Sequence, residues 1–225
     1  KLEEEVDKSI LHQKALENSL VEKELLIKEV HHRVKNNMQV ISSLLSIQAE
    51  GAGDEVYSSL LNESQQRIKS MALIHETLYQ SKDLLKIDFQ EYIESLTNSL
   101  SRSYTVPGVS VFVDVTVENV LLDLATAVPC GLVINELVSN ALKHAFHDKE
   151  ETGIIDIDFV STDCSYDLRI ADNGVGLPSG FDLSKNTSMG LEIVTILTDQ
   201  LEGTLSAYND GGAVFQIQFP RILNE

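Results

Sequence analysis

The chain has 225 residues, 43% of them hydrophobic, which allows a sizeable core and one or two domains of ordinary size. A formal charge of −18 argues against a broad positive surface for nucleic acid or anionic lipid, so any nucleotide must be bound locally. Cys130 and Cys164 lie outside metal-ligand spacing, which is typical of ordinary thiols in a reducing compartment. Because no signal peptide and no apolar run of roughly 20 residues is visible, we expect a soluble cytoplasmic fragment without membrane contact. Its charged, helical beginning is compatible with a sensor or membrane segment upstream in the full-length protein.

A long first helix is predicted from Leu2 to about Gln48, where the sequence has no proline or glycine. Its apolar residues follow one heptad seam of a and d positions, at Leu2, Val6, Leu16, Leu20, Ile27, Val30, Val34, Ile41 and Leu44, interrupted at Ser9, Gln13, Lys23 and Asn37. The segment from Gly51 to Asp54 ends this helix and begins a second one, over Glu55 to Gln80. A lone hairpin would leave most of its apolar stripe in water, so two hairpins are predicted to form a dimeric four-helix bundle.

After a connector at Ser81 to Asp88, the pattern becomes mixed. Helices are predicted at Phe89 to Arg102, Ala127 to Ala145 and Gly190 to Leu201, and strands at Val109 to Val117, Ile154 to Val160, Tyr166 to Ala171, Thr204 to Tyr208 and Val214 to Phe219. This order predicts an α+β sandwich with helices on one face of a mostly antiparallel sheet. The domains are therefore predicted to cover residues 1–82 and 83–225.

The middle of the first helix carries a histidine pair. On the heptad numbering, His31 falls at e and His32 at f, so His32 points away from the predicted seam. Glu29 and Asn36, three residues before and four after His32, share its face. The carboxylate could orient the ring or accept its proton, and the amide could position water for a dephosphorylating step. An outward histidine is usually just solvated, so this pattern does not establish chemistry by itself.

The helix around residue 140 carries a polar face made of Glu136, Asn140, Lys143 and His144. The Asn140 oxygen could complete a Mg²⁺ shell already filled by phosphate oxygens and water, and Lys143 supplies compact positive charge for phosphate. Glu136 could hold a metal-bound water or act as a base. The competing interpretation is a solvated polar stripe on a surface helix. The chain contains neither a Walker loop nor the protein-kinase motifs.

Two glycine-containing segments complete the candidate nucleotide site. Asp172 follows an apolar strand and could accept the adenine amino hydrogen, while Gly174 and Gly176 would let backbone pack against a flat base. A plain glycine turn is the alternative. A second segment opens a helix, whose free N–H groups suit triphosphate oxygens; it consists of Ser188, Met189, Gly190 and Leu191. Thr204 is a further candidate nucleotide contact, whereas Gly211 and Gly212 are predicted to be structural.

These blocks, in this order, resemble the sensor histidine kinases, and in particular the subgroup whose phosphoacceptor box reads HRVKN. His31 to Asn37 is similar to that box, with His32 as its phosphorylated residue and His31 next in line. Asn135 to His144 resembles the N box, Asp172 to Gly176 the G1 box, and Ser188 to Leu191 the G2 box.

The resemblance implies a dimerisation and histidine phosphotransfer hairpin beside a GHKL-type (Bergerat) ATP-binding fold. It implies ATP and Mg²⁺ as cofactors, autophosphorylation of His32, relay to an aspartate of a response regulator, and no nucleic-acid partner. Arg33 stands where the commoner kinases carry an acidic residue, which leaves the activating base open, with Glu29 as a candidate. An F box is not visible and the nucleotide lid is short. Two other functions remain open: a GHKL serine kinase of the anti-sigma type, and a dimeric nucleotide-binding scaffold without transferase activity.

Overall fold

The structure, a computed structural model, describes residues 2–51, 53–80, 89–104, 109–147, 152–185 and 188–221. The chain divides into two compact units, Lys1–Tyr79 and Gln80–Glu225. The predicted connector at Ser81 to Asp88 lies outside the described residues.

The first unit is a helical hairpin of α1 (Leu2–Gly51) and α2 (Glu55–Gln80). α2 begins where the Ser58 N–H donates to the carbonyl oxygen of Asp54 at 2.9 Å. Among the described side chains of α1, Ser42 and Ala49 are buried, and Val34, Met38 and Leu45 are half-buried. The Gln65 side chain also donates to the Ser42 carbonyl oxygen at 3.2 Å. These contacts show that α2 folds back along the C-terminal half of α1.

The predicted heptad seam does not form the contact between α1 and α2. Val30 and Leu44 of that seam are 54% and 55% exposed, and Ile27 and Ile41 are also exposed. The face of α1 that packs on α2 instead passes through Ser42 and Ala49. The sequence assigns the seam to a partner helix, so its exposure in the single chain leaves that prediction open.

The second unit contains three helices and five strands. The helices are α3 (Phe89–Ser103), α4 (Leu124–His144) and α5 (Met189–Gln200). The strands are β1 (Val111–Glu118), β2 (Gly153–Ser161), β3 (Ser165–Asp172), β4 (Thr204–Asn209) and β5 (Ala213–Pro220). A short 3₁₀ turn at Leu183–Lys185 was not predicted.

The strands form one mixed sheet in the order β1-β2-β3-β5-β4. β1 and β2 are parallel because α4 crosses between them, and the other three pairs are antiparallel. Side chains alternate along the strands, and the inward residues of β2, which include Ile155, Ile157 and Phe159, are fully buried. The predicted α+β fold with a mostly antiparallel sheet is therefore confirmed.

α4 is the central core helix of this unit. Its Asp123 cap accepts a hydrogen bond from the Thr126 N–H at 2.9 Å, which satisfies one of the free donors of the first turn. The segment Ala125–His144 is long and apolar enough to cross a membrane, a length of apolar sequence that the sequence analysis did not recognise. Since 72% of it is buried inside the unit, it is a core helix.

Candidate functional site

The histidine pair lies on α1, where His32 is exposed and His31 is half-buried. Glu29 has a partner other than the histidine: its Oε1 accepts a hydrogen bond from Arg33 Nε at 2.8 Å. Asn36 is exposed one turn beyond His32. The structure thus leaves His32 accessible on the helix surface and directs the neighbouring carboxylate toward Arg33.

Asn36 also borders a shallow groove that continues along α1. This groove has a volume of about 440 Å³ and is lined by Asn36, Gln39, Val40, Ser43, Leu44 and Ile47. Half of its lining residues are apolar and exposed in this chain. The surface of α1 next to the exposed His32 therefore includes an uncovered apolar strip.

The polar face of α4 changes from buried to exposed along the helix. Glu136 is 4% exposed, Asn140 and Lys143 are half-buried, and His144 is exposed. A solvated stripe does not describe this face, because its first member lies inside the core. The Lys143 ammonium lies 5.3 Å from the centre of the Tyr104 ring, and the His144 ring lies 6.1 Å from that of His147.

The residue before Glu136 adds an unsatisfied polar atom to this face. Asn135 is 3% exposed, and its Oδ1 has no hydrogen-bond partner among the residues that the structure describes. Its Nδ2 lies 3.5 Å from the Glu136 carboxylate. Buried polar groups are normally paired, so an unpaired amide oxygen beside a buried carboxylate is typical of a functional interior.

The turn after β3 is tightly packed against the beginning of β5 and the end of α4. The Asp172 Oδ1 accepts hydrogen bonds from the N–H groups of Gly174 at 2.9 Å and Ala213 at 3.2 Å. A Cβ on Gly174 would overlap the carbonyl oxygen of Ala145, and a Cβ on Gly212 would overlap that of Asp172. Both positions thus require glycine because the neighbouring backbone leaves no room for a Cβ. The sequence analysis had instead explained Gly174 by contact with a flat base.

The start of α5 lies toward the same end of the unit as this turn. α5 is antiparallel to α4, because the end of α5 (Gln200 and Leu201) and the beginning of α4 (Asp123 and Thr126) line one cavity. At its beginning, Ser188 occupies the cap position with an extended backbone, Met189 is 58% exposed, and Gly190 and Leu191 are buried. The last turns of α4, the turn after Asp172 and the beginning of α5 therefore lie at one end of the sheet, called here the Asp172 end.

Thr204 does not belong to this group. It is the first residue of β4 and pairs with Gln218, whereas the other end of β4, Asn209, pairs with Ala213 beside Asp172. At about 3.4 Å per residue, Thr204 lies about 17 Å along the strand from Asn209. The structure therefore does not bring Thr204 together with the other candidate nucleotide residues, and its contact with nucleotide stays a prediction.

Three residues at the Asp172 end were missed by the sequence analysis. They are Tyr104 under Lys143, Ala213 with its N–H on Asp172, and Asn209, whose side chain binds the backbone of Leu177. The residues from Asn209 to Gly212 are a tight-turn signal in the sequence. The hydrogen bond between Ala213 and Asp172, however, joins residues that are 41 positions apart, which no local pattern reveals.

The strongest pKa shifts among the described residues lie outside this group. Burial raises the pKa of the Cys130 thiol, and burial likewise raises the pKa of the Tyr92 hydroxyl. The Tyr92 ring packs where α4 has Gly131, since a Cβ there would overlap its hydroxyl oxygen. Both groups are core features, and the raised pKa of Cys130 agrees with an unreactive thiol.

Comparison with known proteins gives matches across most of the chain. Residues 29–104 match the family HisKA_2, described as histidine kinase. Residues 126–222 match HATPase_c, described as a histidine kinase-, DNA gyrase B- and HSP90-like ATPase.

Curated relatives include the sensor histidine kinases PdtaS of Mycolicibacterium smegmatis, 33% identical over 92% of this chain, and of Mycobacterium tuberculosis, 34% identical over 85%. The chain spans 42% and 38% of the length of these two relatives. Among solved structures, the histidine kinase domain of the blue-light-activated kinase EL346 from Erythrobacter litoralis has a TM-score of 0.61 at 20% identity. That superposition covers 81% of this chain and 95% of the other, and it supports the fold.

Proposed function

This chain belongs to the sensor histidine kinases, and on that premise we propose that it phosphorylates its own His32 from ATP. The observation that carries the proposal is the exposure of His32 on α1, inside the region that matches the histidine kinase family. We further propose that the phosphoryl group then passes to an aspartate of a response-regulator receiver domain. The regions assigned to these tasks are residues 1–82 for dimerisation and phosphotransfer and 83–225 for catalysis.

The proposed nucleotide site is the Asp172 end of the second unit. Asp172 is proposed to recognise the adenine amino group, and the turn through Gly174 and Gly176 to border the base. Lys143 supplies positive charge for the phosphates, His144 is proposed to lie beside the nucleotide, and the beginning of α5, from Ser188 to Leu191, supplies backbone N–H donors. The buried Glu136 and the unpaired oxygen of Asn135 support a polar, water-organising interior beneath the phosphates.

Mg²⁺ is proposed to bind at Asn140. Among the described residues, no group of three or more His, Cys, Asp or Glu side chains could hold a metal ion alone. A divalent cation at this end would therefore take most of its ligands from phosphate oxygens and water, with the neutral Asn140 oxygen completing the shell, and this donor set fits Mg²⁺. When bound, Mg²⁺ would neutralise phosphate charge during transfer.

The proposed reaction forms one bond and breaks one. A ring nitrogen of His32 uses its lone pair to bond the γ-phosphorus of ATP. The bond from that phosphorus to the bridging oxygen breaks, and ADP leaves with the electron pair. The proton on the other ring nitrogen passes to Glu29 or to water. In the opposite process, dephosphorylation, Asn36 is proposed to position the water that hydrolyses the phosphohistidine. In the structure, the Glu29 carboxylate accepts a hydrogen bond from Arg33 at 2.8 Å.

A homodimer in the cytoplasm is the proposed form of this fragment. Val30 and Leu44, with Leu26, Val40, Ile41 and Ile47, leave an apolar face of α1 uncovered in the single chain. A second hairpin would cover this face in a four-helix bundle, at the seam that the sequence predicts. The two α1 helices would then carry their His32 side chains on the outside of the bundle.

A labelling experiment with radioactive ATP tests the proposal. We expect His32→Gln to abolish phosphorylation while ATP still binds, since the nucleotide residues belong to the other unit. Asn140→Asp should weaken ATP binding and change how the ATP affinity varies with Mg²⁺ concentration. His31→Gln is the matched control and should retain most of the label.

The chemistry of the label separates the alternatives. A phosphohistidine is lost in acid and stable in base, whereas an acid-stable label would identify a serine kinase. A folded wild-type protein that binds ATP but takes up no label would identify a scaffold. Label retained by His32→Gln and lost by His31→Gln would move the phosphorylated position to His31.

A further inference from the structure

The turn from Asp172 to Leu177 is held at both ends by other parts of the chain. At its beginning, Asp172 accepts the N–H of Ala213, which is the first residue of β5. In its middle, the Val175 N–H donates to the carbonyl oxygen of Ala145 at 2.9 Å, at the end of α4. The Val175 side chain is left 60% exposed. The turn therefore presents a backbone of fixed position and an uncovered apolar surface.

At its far end, the turn is held by a single side chain from β4. The Asn209 Oδ1 accepts the Leu177 N–H at 2.7 Å, and the Asn209 Nδ2 donates to the Leu177 carbonyl oxygen at 2.9 Å. One amide thus satisfies both backbone groups of one residue, which imitates a strand pairing. Among the natural side chains, only asparagine and glutamine carry a donor and an acceptor in this arrangement.

Gly176 shows how closely this contact is fitted. Its φ is +76°, a conformation that favours glycine. A Cβ on Gly176 would lie 2.9 Å from the Asn209 Oδ1, closer than real Cβ contacts allow. The backbone at Gly176 is therefore shaped to receive the Asn209 amide, and the two residues form one structural device.

We propose that Asn209 is a positioning residue for the nucleotide site. It holds the Gly176–Leu177 backbone on the β4–β5 hairpin, and the same hairpin holds Asp172 through Ala213. Both ends of the turn are thus fixed to one rigid element before nucleotide arrives, which lowers the ordering cost of binding. This inference rests on the proposed function, because it assumes that the Asp172 turn binds the base of ATP.

Asn209→Ala tests the inference in the full chain. Removing both hydrogen bonds should raise the KM for ATP in autophosphorylation by about 5- to 30-fold, the equivalent of about two ordinary hydrogen bonds. The kcat at saturating ATP should stay within about twofold, because Asn209 does not touch the reacting atoms. Ser206→Ala, on the exposed face of the same strand, is the matched control and should change neither constant.

A second variant tests the same contact from the other residue. Gly176→Ala disturbs the same contact from the other side and should raise the KM similarly. In the double variant the rise in KM should be smaller than the two single effects combined, since each change disrupts the same contact. Far-UV circular dichroism and the melting temperature check that each variant is folded.

The outcomes separate this inference from the proposed function. A wild-type protein that binds no ATP defeats the proposed function before any variant is made. If the wild type is active and folded Asn209→Ala keeps its KM within twofold, the inference fails alone. A fall in kcat with an unchanged KM, or full additivity with Gly176→Ala, would also overturn it.

Discussion

The two units bury their apolar residues in different ways. The second unit completes a core within one chain, in which Ile157 and Phe159 are fully buried. Among the described side chains of the first unit, the buried ones are Ser42 and Ala49, one polar and one small. Large residues such as Leu44 stay exposed there. The first unit thus fully buries only small residues among its described side chains and leaves many of its large apolar residues half-buried or exposed.

This difference indicates which contacts stabilise each unit. The free energy of unfolding of the second unit should depend on packing within one chain, and so should not change with protein concentration. The apolar face of the first unit is covered only if another helix packs on it, so its stability should rise with concentration. One chain would then contain a unit that folds alone and a unit that folds by association.

The largest effect is expected from Phe159→Ala. The Phe159 ring lies 5.3 Å from that of Phe89 and 6.1 Å from that of Tyr166, inside the core of the second unit. Its removal should lower the free energy of unfolding of this unit by about 3–5 kcal/mol. Urea denaturation followed by tyrosine fluorescence measures this, with Phe112→Ala as the control, since Phe112 is 63% exposed and should change the value by less than about 1 kcal/mol.

The same variant tests the separation of the two units. Phe159→Ala should leave the association of the helical hairpins unchanged in analytical ultracentrifugation. Loss of the dimer together with the core of the second unit would show that the units share one folding transition, and the comparison would then fail.

The next effect in size is expected from Leu44→Asp. If the exposed face of α1 is the dimer seam, this change places an unpaired carboxylate in an apolar interface. The dissociation constant of the dimer should rise by at least about 100-fold, measured by ultracentrifugation over a range of concentrations. Gln39→Asp, at an exposed polar position of α1, is the control and should leave the dimer intact. An unchanged dimer in Leu44→Asp would place the interface elsewhere.

Local patterns in the sequence were sufficient for the elements themselves. α2 begins at Glu55 and ends at Gln80 as predicted, because glycine and aspartate interrupt the helical period just before it. The strands also lie within two residues of their predicted ends, because alternation of buried and exposed residues is a local signal. Burial of α4 explains why its polar face could not be judged from periodicity alone.

Contacts between distant parts of the chain were not predictable in the same way. The parallel pairing of β1 and β2 and the place of β5 between β3 and β4 depend on strand order, which no local pattern records. The distance of Thr204 from the Asp172 end was not visible for that reason, and the contacts of Asn209 with Leu177 and of Ala213 with Asp172 were missed. The residues proposed for catalysis were identified from their order along the chain, whereas those that hold the backbone in position required the fold.

The smallest effect is expected at Tyr104, the residue after α3. The Lys143 ammonium lies over its ring, and its own N–H donates to the Leu100 carbonyl oxygen at 2.9 Å, which ties the ring to α3. Tyr104→Leu should raise the KM for ATP by about 2- to 5-fold, because a cation–π contact of this kind contributes about 0.5–1 kcal/mol. Tyr104→Phe keeps the ring face and should leave the KM unchanged.

This last variant also bears on how the two units are separated. The histidine kinase match ends at residue 104, so it includes α3, although α3 packs in the second unit. If Tyr104→Leu weakens ATP binding and Tyr104→Phe does not, a helix from the region that carries His32 helps to position a phosphate-binding lysine. The border between the two functions would then lie before α3, where the compact units divide at Tyr79. Equal KM values in all three proteins would instead give α3 no part in ATP binding and leave it with the histidine kinase match that ends at residue 104.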